Sequence, residues 1–454
     1  MSKTIIIIGA GLAGLSAALQ AAENGCNVKL VSSLPSERAQ SVMAEGGINA
    51  ALNTKDENDS PEEHFTDTIK AACGLADPNA VWGMTQAAPE LVHWLLKLGV
   101  KFNMSGYDDV DLRNFGGQKK KRTAFAQSDT GKQIMTAMID AVRRKEASGM
   151  VERFSHHSFL TLRLCGNICC GCVIRDEYSQ ETVELPGDAV IVATGGMHGL
   201  FGNTTGSLSN TGEVTAELFR LGVPLANGEM IQYHPTTVEC GGKRMLISEA
   251  ARGEGGRLFA MKDGKQWYFM EEKYPELGNL MPRDITAREI WKVSHESEVF
   301  LDMTEISEEI ISNKLSGLAD DCMTYLHKDI RKEPVSVLPG IHYFMGGILV
   351  DEQHRTPIQN LYAAGECCAQ YHGANRLGGN SLLGALYGGR VAAKSACEQA
   401  DVVDLSCATQ IDFPPASQIS EIKQLNKVMQ ETMGVVRNEN TLSVSYTHLR
   451  AHET

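Results

Sequence analysis

The chain begins with an apolar run, a glycine-rich turn and then a second alternation of apolar and polar residues. Ile5–Ile8 predicts a buried strand, Leu15–Asn24 a helix and Val28–Val31 a second strand. The turn between the first strand and the helix reads Gly9-Ala10-Gly11-Leu12-Ala13-Gly14. Together these elements predict one βαβ unit at the start of the chain.

Other segments show the same two kinds of apolar pattern, one typical of helices and one typical of buried strands. Apolar stripes at helical spacing predict two core-facing helices, one with Leu91, Trp94, Leu95 and Leu98, the other with Ile134, Met138, Ile139 and Val142. Asp188–Val192 predicts a buried strand, and Asn360–Ala364 a strand that leads through glycines to a helix at Ser381–Ala393. These segments bracket a charged, irregular stretch, residues 212–338, which we predict to be an inserted substrate domain.

Length and charge narrow the class of protein. A chain of 454 residues predicts two or three packed domains with room for a cleft between them. No stretch approaches the roughly 18 apolar residues that span a bilayer, and glycines interrupt the apolar run after Ile8 where a signal peptide would continue, so we expect a cytoplasmic protein. The net charge of −14 disfavours nucleic acid as a partner. An anionic substrate therefore needs a local cationic pocket.

Twelve cysteines are expected to be reduced thiols in such a chain. Cys165, Cys169, Cys170 and Cys172 are open to two interpretations, a metal or iron–sulfur site or two strands joined at Gly166-Asn167. The spacing lacks paired C-x2-C units, which favours the hairpin, with Cys170 and Cys172 facing the same way, and no metal site.

The glycine turn carries the first functional signal. Gly9, Gly11 and Gly14 suit a tight turn, close approach of a pyrophosphate and packing of the helix on the strand. A nicotinamide-binding fold is expected to have an acidic residue at the end of the second strand, where Ser32 and Ser33 stand instead. This departure favours FAD over a nicotinamide cofactor.

A series of segments then resembles one family. The run Gln40-Ser41-Val42-Met43-Ala44-Glu45-Gly46-Gly47-Ile48-Asn49 resembles the flavin-contacting loop of fumarate reductase and succinate dehydrogenase flavoprotein subunits. Further matches follow in order at Phe115-Gly116-Gly117, Ala193-Thr194-Gly195-Gly196, Tyr233-His234-Pro235-Thr236, Glu249-Ala250-Ala251-Arg252-Gly253-Glu254-Gly255-Gly256, Pro282-Arg283-Asp284, His342-Tyr343-Phe344-Met345-Gly346-Gly347 and His372-Gly373-Ala374-Asn375-Arg376-Leu377-Gly378-Gly379-Asn380-Ser381-Leu382. L-aspartate oxidase and single-chain enoate reductases share much of this pattern.

The resemblance implies an α/β fold, with a Rossmann-like FAD-binding domain, an inserted α+β capping domain and a truncated C-terminal helical segment. The implied domains are residues 1–211 and 341–400 for FAD binding, 212–340 for the cap and 401–442 for the start of the helical domain, with its first helix at Ile422–Arg437. Residues 443–454 look like translated sequencing adapter, so we expect a non-native tail and a longer natural protein.

The resemblance also implies roles for individual residues. His234, Ser248, His342 and Arg376 correspond to the family's carboxylate clamp. Arg283 corresponds to its proton donor, with Glu249 and Arg252 as a relay toward solvent. Besides the three turn glycines, the FAD contacts implied are Ser41, Glu45, Gly46, Gly47, Gly195, Glu366, Asn380, Ser381 and Leu382. Gln40 stands where membrane-associated members carry the flavin on a histidine, which implies non-covalent FAD.

The activity expected from the resemblance is hydride transfer between flavin N5 and a small dicarboxylate of the fumarate and succinate type. L-aspartate oxidase or another enoate reductase is one alternative, although the segment from Phe115 to Phe125 looks more like the fumarate and succinate branch. A non-catalytic electron-transfer module is another. The resemblance leaves the electron partner open, and an iron–sulfur subunit is one candidate. We expect no direct membrane insertion, so a cytoplasmic chain would associate with a membrane only through such a partner subunit.

Overall fold

A computed structural model describes residues 2–106, 109–400, 419–440 and 442–443. At its centre lies a five-stranded parallel sheet, here called the main sheet, with the spatial order Leu361–Ala363, Ala189–Val192, Thr4–Ile8, Asn27–Ser32 and Val151–Ser155. Its middle strand is buried on both faces, which explains why Ile5–Ile8 is continuously apolar.

Successive residues of the middle strand point to opposite sides of the main sheet. Ile5 and Ile7 pack in a core formed with helices, whereas Ile6 and Ile8 pack in a second core on the other face. The helices of the first core are Pro78–Leu98, Leu12–Glu23, Thr130–Ala147 and Asn380–Gln399. Over the second core lie helix Glu213–Arg220 and strands His157–Cys165, Ile168–Asp176, Thr182–Pro186, Gly347–Leu349 and Cys368–Ala369.

Both stripes at helical spacing are confirmed as core-facing helices. Pro78–Leu98 begins with proline after Asp77, whose side chain accepts hydrogen bonds from two backbone amides, and it ends at Gly99, which has a φ of 101°. These are ordinary start and stop signals of a helix. Thr130–Ala147 buries Ile134, Met138, Ile139 and Val142, as predicted.

The cysteine-rich segment is a hairpin that turns at Gly166-Asn167, as one of the two interpretations predicted. Its expected side-chain alternation is wrong. Arg163 pairs with Gly171 and Leu164 with Cys169, so Cys170 is an extra, bulged residue. The bulge brings Cys169 and Cys172, rather than Cys170 and Cys172, into the same hydrophobic core.

The middle of the chain forms a separate apolar core, and we call residues 231–344 the cap region. Helix Glu213–Arg220 and strand Leu225–Ala226, which fall inside the predicted bounds 212–340, pack over the main sheet instead. The cap region contains two antiparallel sheets, one of Lys243–Leu246, Ile231–Cys240 and Leu338–Phe344, the other of Lys265–Trp267, Arg257–Lys262, Val299–Asp302 and Val335–Ser336. Its helices are Glu249–Gly253, Phe269–Lys273, Arg283–Val293, Glu308–Lys314 and Ser316–Asp321. The core includes Leu258, Ile290 and Leu301. This mixed composition is that of the predicted α+β insertion.

Smaller elements complete the fold. A short sheet of Ile48–Asn49, Thr123–Ala124 and Leu112–Arg113 and the helix Pro61–Ala72 flank the helical core, and strand Leu225–Ala226 pairs with Gly347–Leu349. The helix predicted at 422–437 runs from Ile419 to Thr432. Of the predicted non-native tail, only Ser443 lies within the described residues, and residues 401–418 also lie outside them. Across the described ranges, no helix is long and apolar enough to span a membrane.

Candidate active site

The carboxyl ends of four main-sheet strands open into a cavity of about 680 Å³ that also reaches the cap region. Ligands of open α/β folds bind at this edge of the sheet. Of the residues predicted for the site, the cavity is lined by Gly9, Gly11, Ser41, Glu45, Gly46, Gly47, Gly195, His234, Ser248, Glu249, Arg283, His342, Glu366, Arg376, Ser381 and Leu382. One continuous space therefore joins the glycine turn to the clustered histidines and arginines.

The three turn glycines have separate structural reasons. A Cβ on Gly14 would lie 1.8 Å from the Gly9 carbonyl oxygen, and one on Gly9 would lie 2.2 Å from the Ala193 carbonyl oxygen. These two residues let the helix and the neighbouring strand pack closely. Gly11 faces the cavity and directly precedes the N-terminal end of helix Leu12–Glu23, which suits a pyrophosphate.

Beyond the turn, the second strand ends in a polar pocket. Ser32 is buried and its Oγ has no hydrogen-bond partner, although it lies on the cavity wall. Glu213, at the start of helix Glu213–Arg220, and His157 line the cavity too, and the sequence interpretation assigned neither of them. A buried hydroxyl without a partner and a carboxylate on the wall of the same cavity fit the hydroxyl groups of a nucleotide ribose.

The loop that follows the second strand is packed against the rest of the site. A Cβ on Gly47 would lie 2.5 Å from the Ala124 carbonyl oxygen, and one on Gly46 would lie 3.0 Å from the Phe115 ring. Burial and the neighbouring Asp321 raise the pKa of Glu45 to about 8. Glu45 is therefore largely protonated at neutral pH, and it presents a neutral polar wall to the cavity.

Gln40 lies in a hydrogen-bond network with Ser207, Asn210 and Glu366. Its Oε1 accepts from the Ser207 amide and from Asn210 Nδ2, each at 3.1 Å. Its Nε2 lies 3.4 Å from Glu366 Oε2. The other carboxylate oxygen of Glu366 accepts from the Phe344 amide at 3.0 Å. Gln40 thus offers the cavity an amide rather than a nucleophilic side chain.

Three predicted residues do not line the cavity. Gly14 lies behind the turn, and Arg252 lies behind Glu249. The predicted direct contact of Asn380 also needs correction, because its side chain bonds Asn49 Nδ2 at 2.7 Å, His64 Nε2 at 2.9 Å and Thr68 Oγ1 at 3.0 Å. Gly379 precedes it with a φ of 85°, which turns the helix so that Ser381 and Leu382 face the cavity while Asn380 points into the protein.

The proposed proton relay forms a buried ladder. Glu249 Oε2 accepts from Arg283 Nε at 2.8 Å and Nη2 at 2.6 Å, and Glu249 Oε1 lies 3.4 Å from Arg252 Nη2. Burial raises the pKa of Glu249, but the charges of Arg283 and Arg252 outweigh burial and hold this pKa below its ordinary value. Glu249 is therefore an anion between two guanidinium groups.

The four predicted clamp residues line the same part of the cavity. The rings of His234 and His342 lie 5.1 Å apart, and Ser248 caps helix Glu249–Gly253. Burial and then the charge of Arg283 lower the pKa of both histidines well below its ordinary value, so both are neutral. Burial lowers the pKa of Arg376 to about 9, which leaves it charged at neutral pH.

Gln232 was missed by the sequence interpretation. It is buried, its Oε1 accepts from Arg283 Nη1 at 3.1 Å, and its Nε2 donates to the Arg376 carbonyl oxygen at 2.7 Å. It also donates to Asn375 Oδ1 at 2.9 Å. Its position two residues before His234 on one strand was the available signal, because alternate residues share a face.

A parallel sheet, a glycine turn and a dinucleotide-sized cavity together define a dinucleotide-binding α/β oxidoreductase fold. The family profile described as "FAD binding domain" matches residues 4–382. The succinate dehydrogenase flavoprotein subunit of Bacillus subtilis is 44% identical over 413 residues, which cover 89% of this chain and 70% of that subunit. L-aspartate oxidase of Streptomyces coelicolor is 32% identical, over 98% of this chain and 78% of that enzyme.

Solved structures agree with these sequence relatives. A mutant of E. coli quinol fumarate reductase FrdA has a TM-score of 0.89 and 28% identity, covering 99% of this chain and 82% of that one. Sdh1 of Mycobacterium smegmatis has a TM-score of 0.81 and 29% identity, covering 99% and 80%. The chain belongs to the family of succinate dehydrogenase and fumarate reductase flavoprotein subunits, FAD-dependent oxidoreductases. The predicted fold class, family and cofactor are confirmed.

Proposed function

We propose that this flavoprotein interconverts fumarate and succinate. The charge of the buried cluster carries the proposal. Among the proposed clamp and relay residues, Arg252, Arg283 and Arg376 supply three positive charges and Glu249 one negative charge, which gives these residues a net +2 in a chain of overall charge −14. The clamp histidines are neutral because burial lowers their pKa. A dicarboxylate carries the matching charge of −2, and burial makes this complementarity strong.

The clamp residues make different contributions to substrate binding. Arg376 presents a planar fork of donors suited to one carboxylate, and its Nε is buried without a partner. His234, Ser248 and His342 add neutral donors. Polarising one carboxylate stabilises the enolate-like charge that grows on the substrate as hydride arrives, so these contacts lower the barrier rather than only tighten binding.

FAD, when bound, supplies or accepts the hydride through its N5 atom. The chain's part is to hold it: the glycine turn would bind the pyrophosphate, Glu366 would bind the ribityl hydroxyls, and Gly46, Gly47 and Gly195 would contact the ring system, since all of them belong to one cavity. Gln40 supports non-covalent attachment, since an amide is a poor nucleophile. Acid precipitation of the purified protein should release all of its flavin absorbance to the supernatant; yellow colour retained in the pellet would contradict this.

Arg283 is the proposed proton donor to the second alkene carbon. It gives up a proton only as negative charge develops there, and it regains one through Glu249, with Arg252 continuing the relay. The two short contacts between Arg283 and one Glu249 oxygen support this path, since proton transfer requires hydrogen-bond distance.

The test compares Arg283→Gln with Arg288→Gln under anaerobic conditions. Arg288 lies on the same helix but is exposed and paired with Asp284. Loss of the proton donor should lower the fumarate reduction rate by about 10²–10⁴-fold, with FAD still bound, while the control variant keeps its rate. Equal rates for both variants would remove Arg283 from the mechanism and favour a module that only transfers electrons.

L-aspartate oxidase is the second candidate, because a relative of that name is 32% identical. An aspartate substrate needs a partner for its ammonium group. The cavity wall at Phe115 is apolar, and Glu249 is already paired with two arginines. Both features favour a substrate without an ammonium group, so parallel assays should give turnover with fumarate or succinate and none with aspartate.

The electron partner of this function is proposed to be a separate iron–sulfur subunit. Among the described residues, no group of three or more histidine, cysteine or acidic side chains is arranged to hold a metal ion. The relative from Bacillus subtilis is named as the flavoprotein subunit of succinate dehydrogenase, which supports a partner subunit for this chain. Copurification of the full-length protein with an iron-containing subunit would support this, whereas full activity of the single chain with its physiological donor would contradict it.

A further inference from the structure

Two thiols that are far apart in the sequence meet at the ends of two helices. Cys26 Sγ lies 2.9 Å from Cys397 Sγ, although 371 positions separate the two residues. Cys26 follows helix Leu12–Glu23 by three residues, and Cys397 lies in the last turn of helix Asn380–Gln399. This distance is shorter than an ordinary van der Waals contact between two sulfur atoms. The two sulfur atoms are therefore close enough to form a disulfide bond, which is about 2.05 Å long.

Other cysteines of the fold make a different kind of contact. Cys169 donates to the Gly171 carbonyl oxygen, Cys367 to that of Val192 and Cys368 to that of Gly365. These thiols are buried within a core, whereas the Cys397 side chain is only partly buried. A disulfide is therefore expected at the helix ends, since it needs two sulfur atoms in direct contact, and Cys397 is partly open to an oxidant.

We propose that Cys26 and Cys397 are a redox modification site, where peroxide forms a reversible disulfide that joins the two helices bordering the FAD cavity. Both helices begin at the cavity, which Gly11 and Leu12 line at one helix and Ser381 and Leu382 at the other. The site lies at their opposite ends and leaves the proposed catalytic residues untouched.

The chemistry balances with hydrogen peroxide as the oxidant. The Cys397 thiolate attacks one peroxide oxygen, the O–O bond breaks, and the product is a sulfenic acid with hydroxide, which takes up the thiol proton as water. The Cys26 sulfur then attacks the sulfenic sulfur, the S–O bond breaks, and a second water leaves. The two thiols lose two electrons and the peroxide gains them; a small thiol reductant reverses the bond by exchange.

The surroundings determine the rate of this reaction. Burial and the contact with Cys26 raise the pKa of the Cys397 thiol, and the nearby Glu398 acts in the same direction. Lys3 opposes them, and its Nζ also donates to the Cys397 carbonyl oxygen at 2.7 Å. Because the thiolate is the reactive form, oxidation should be slow at neutral pH and faster as pH rises.

The two helices are already closely packed, so a bond at their ends will hold an existing arrangement. Ser16 Oγ donates to the Leu386 carbonyl oxygen at 2.7 Å. A Cβ on Gly389 would lie 2.3 Å from the Ala13 carbonyl oxygen. A cross-link between segments this distant in sequence chiefly restricts the unfolded chain. Oxidised protein should therefore open less often and release FAD several-fold more slowly in mild denaturant.

The experiment treats FAD-loaded protein with hydrogen peroxide and maps it by trypsin and mass spectrometry without reduction. The expected product joins peptide Thr4–Lys29 to the peptide that begins at Ser395, with a mass loss of two hydrogens, and a thiol reductant removes it. The Cys73→Ser variant, which alters an exposed cysteine, should keep this product. The Cys397→Ser variant should lose it.

Absence of the linked peptide from oxidised wild-type protein would overturn the proposal, and this reading does not depend on how any variant folds. Detection of a different cysteine pair in its place would also overturn it. Flavin fluorescence then measures FAD release from oxidised and reduced samples. Equal release rates would show that the disulfide does not hold the two helices together. The assignment of Cys26 and Cys397 as a modification site would then still stand.

Discussion

Gln232 contacts both halves of the proposed substrate site. It accepts from Arg283, the proposed proton donor, and donates to the backbone of Arg376, the proposed clamp arginine. A neutral amide serves here because it accepts from one partner and donates to another without adding charge. A carboxylate at this place would reduce the net positive charge that favours a dicarboxylate.

Replacing Gln232 with leucine keeps a similar size but removes these hydrogen bonds. Arg283 then loses one of its fixed partners, and misplacement of a catalytic group commonly costs about 10²-fold in rate. We expect kcat for fumarate reduction to fall by about this factor while FAD content stays unchanged. The Gln266→Leu control, on an exposed cap strand, should retain its rate. An unchanged kcat would show that Gln232 does not position Arg283.

The contact between the Cys26 and Cys397 thiols is a second property that depends on individual residues, and it lies away from the proposed substrate site. Neither residue belongs to a recognisable motif, and each by itself is an ordinary buried or partly buried cysteine. Their chemistry depends on one contact of 2.9 Å. A property of this kind belongs to a pair and not to either residue.

At the scale of elements, strand Ile231–Cys240 connects three parts of the molecule. Its Gln232 and His234 face the site, whereas Tyr233 between them points away toward the C-terminal segment. The pairing with strand Leu338–Phe344 shifts register beside Tyr233 and again after His234. Such irregularities re-aim side chains, which helps this strand and its partner to bring His234 and His342 together.

The Tyr233 hydroxyl donates to the Met433 carbonyl oxygen at 2.6 Å, just after helix Ile419–Thr432. Tyr233→Phe should lower the stability of this docking by about 1 kcal/mol, the usual worth of one such bond. Limited proteolysis should then cut residues 419–440 faster. Tyr178→Phe, which alters a side chain that is 78% exposed, is the matched control. Equal cleavage of the two variants would mean that the hydroxyl bond does not hold the helix.

At the scale of the whole molecule, FAD-binding segments and the cap region bury several ionisable groups around one cavity. Burial of ionisable groups, at the cavity and elsewhere in the fold, makes the free energy of unfolding depend on pH. His354, for example, is fully buried outside the site, and burial lowers its pKa from 6.5 to about 4. In the unfolded chain this histidine binds a proton below pH 6.5, whereas the folded chain resists doing so.

His354 therefore stabilises the fold fully above pH 6.5, and this contribution is lost as pH falls toward 4. Between pH 7.5 and pH 5 the expected loss from this one residue is about 2 kcal/mol. His354→Gln should reduce the drop in unfolding free energy over that interval by about this amount in urea titrations. His295→Gln, at an exposed position, should leave the drop unchanged. Identical pH profiles for wild type and His354→Gln would refute the assignment.

Features that depend on neighbours along the chain could be predicted without the structure. The apolar run Ile5–Ile8, the spacing of Gly9, Gly11 and Gly14, and the helical stripes predict their elements because backbone geometry and side-chain period are local properties. The order of family-like segments predicted which residues would share a cavity, and most of them do.

The way in which side chains from distant segments face one another became known only from the fold. Gly379 turns Asn380 away from the cavity, and the bulge at Cys170 reverses the expected alternation. The bridging role of Gln232 and the neutrality of the clamp histidines likewise depend on partners that are distant in the sequence, such as Arg376, which lies 144 positions after Gln232. Hydrogen bonds and pKa values respond to distances of a few ångströms and to burial, and neither quantity exists until the chain has folded.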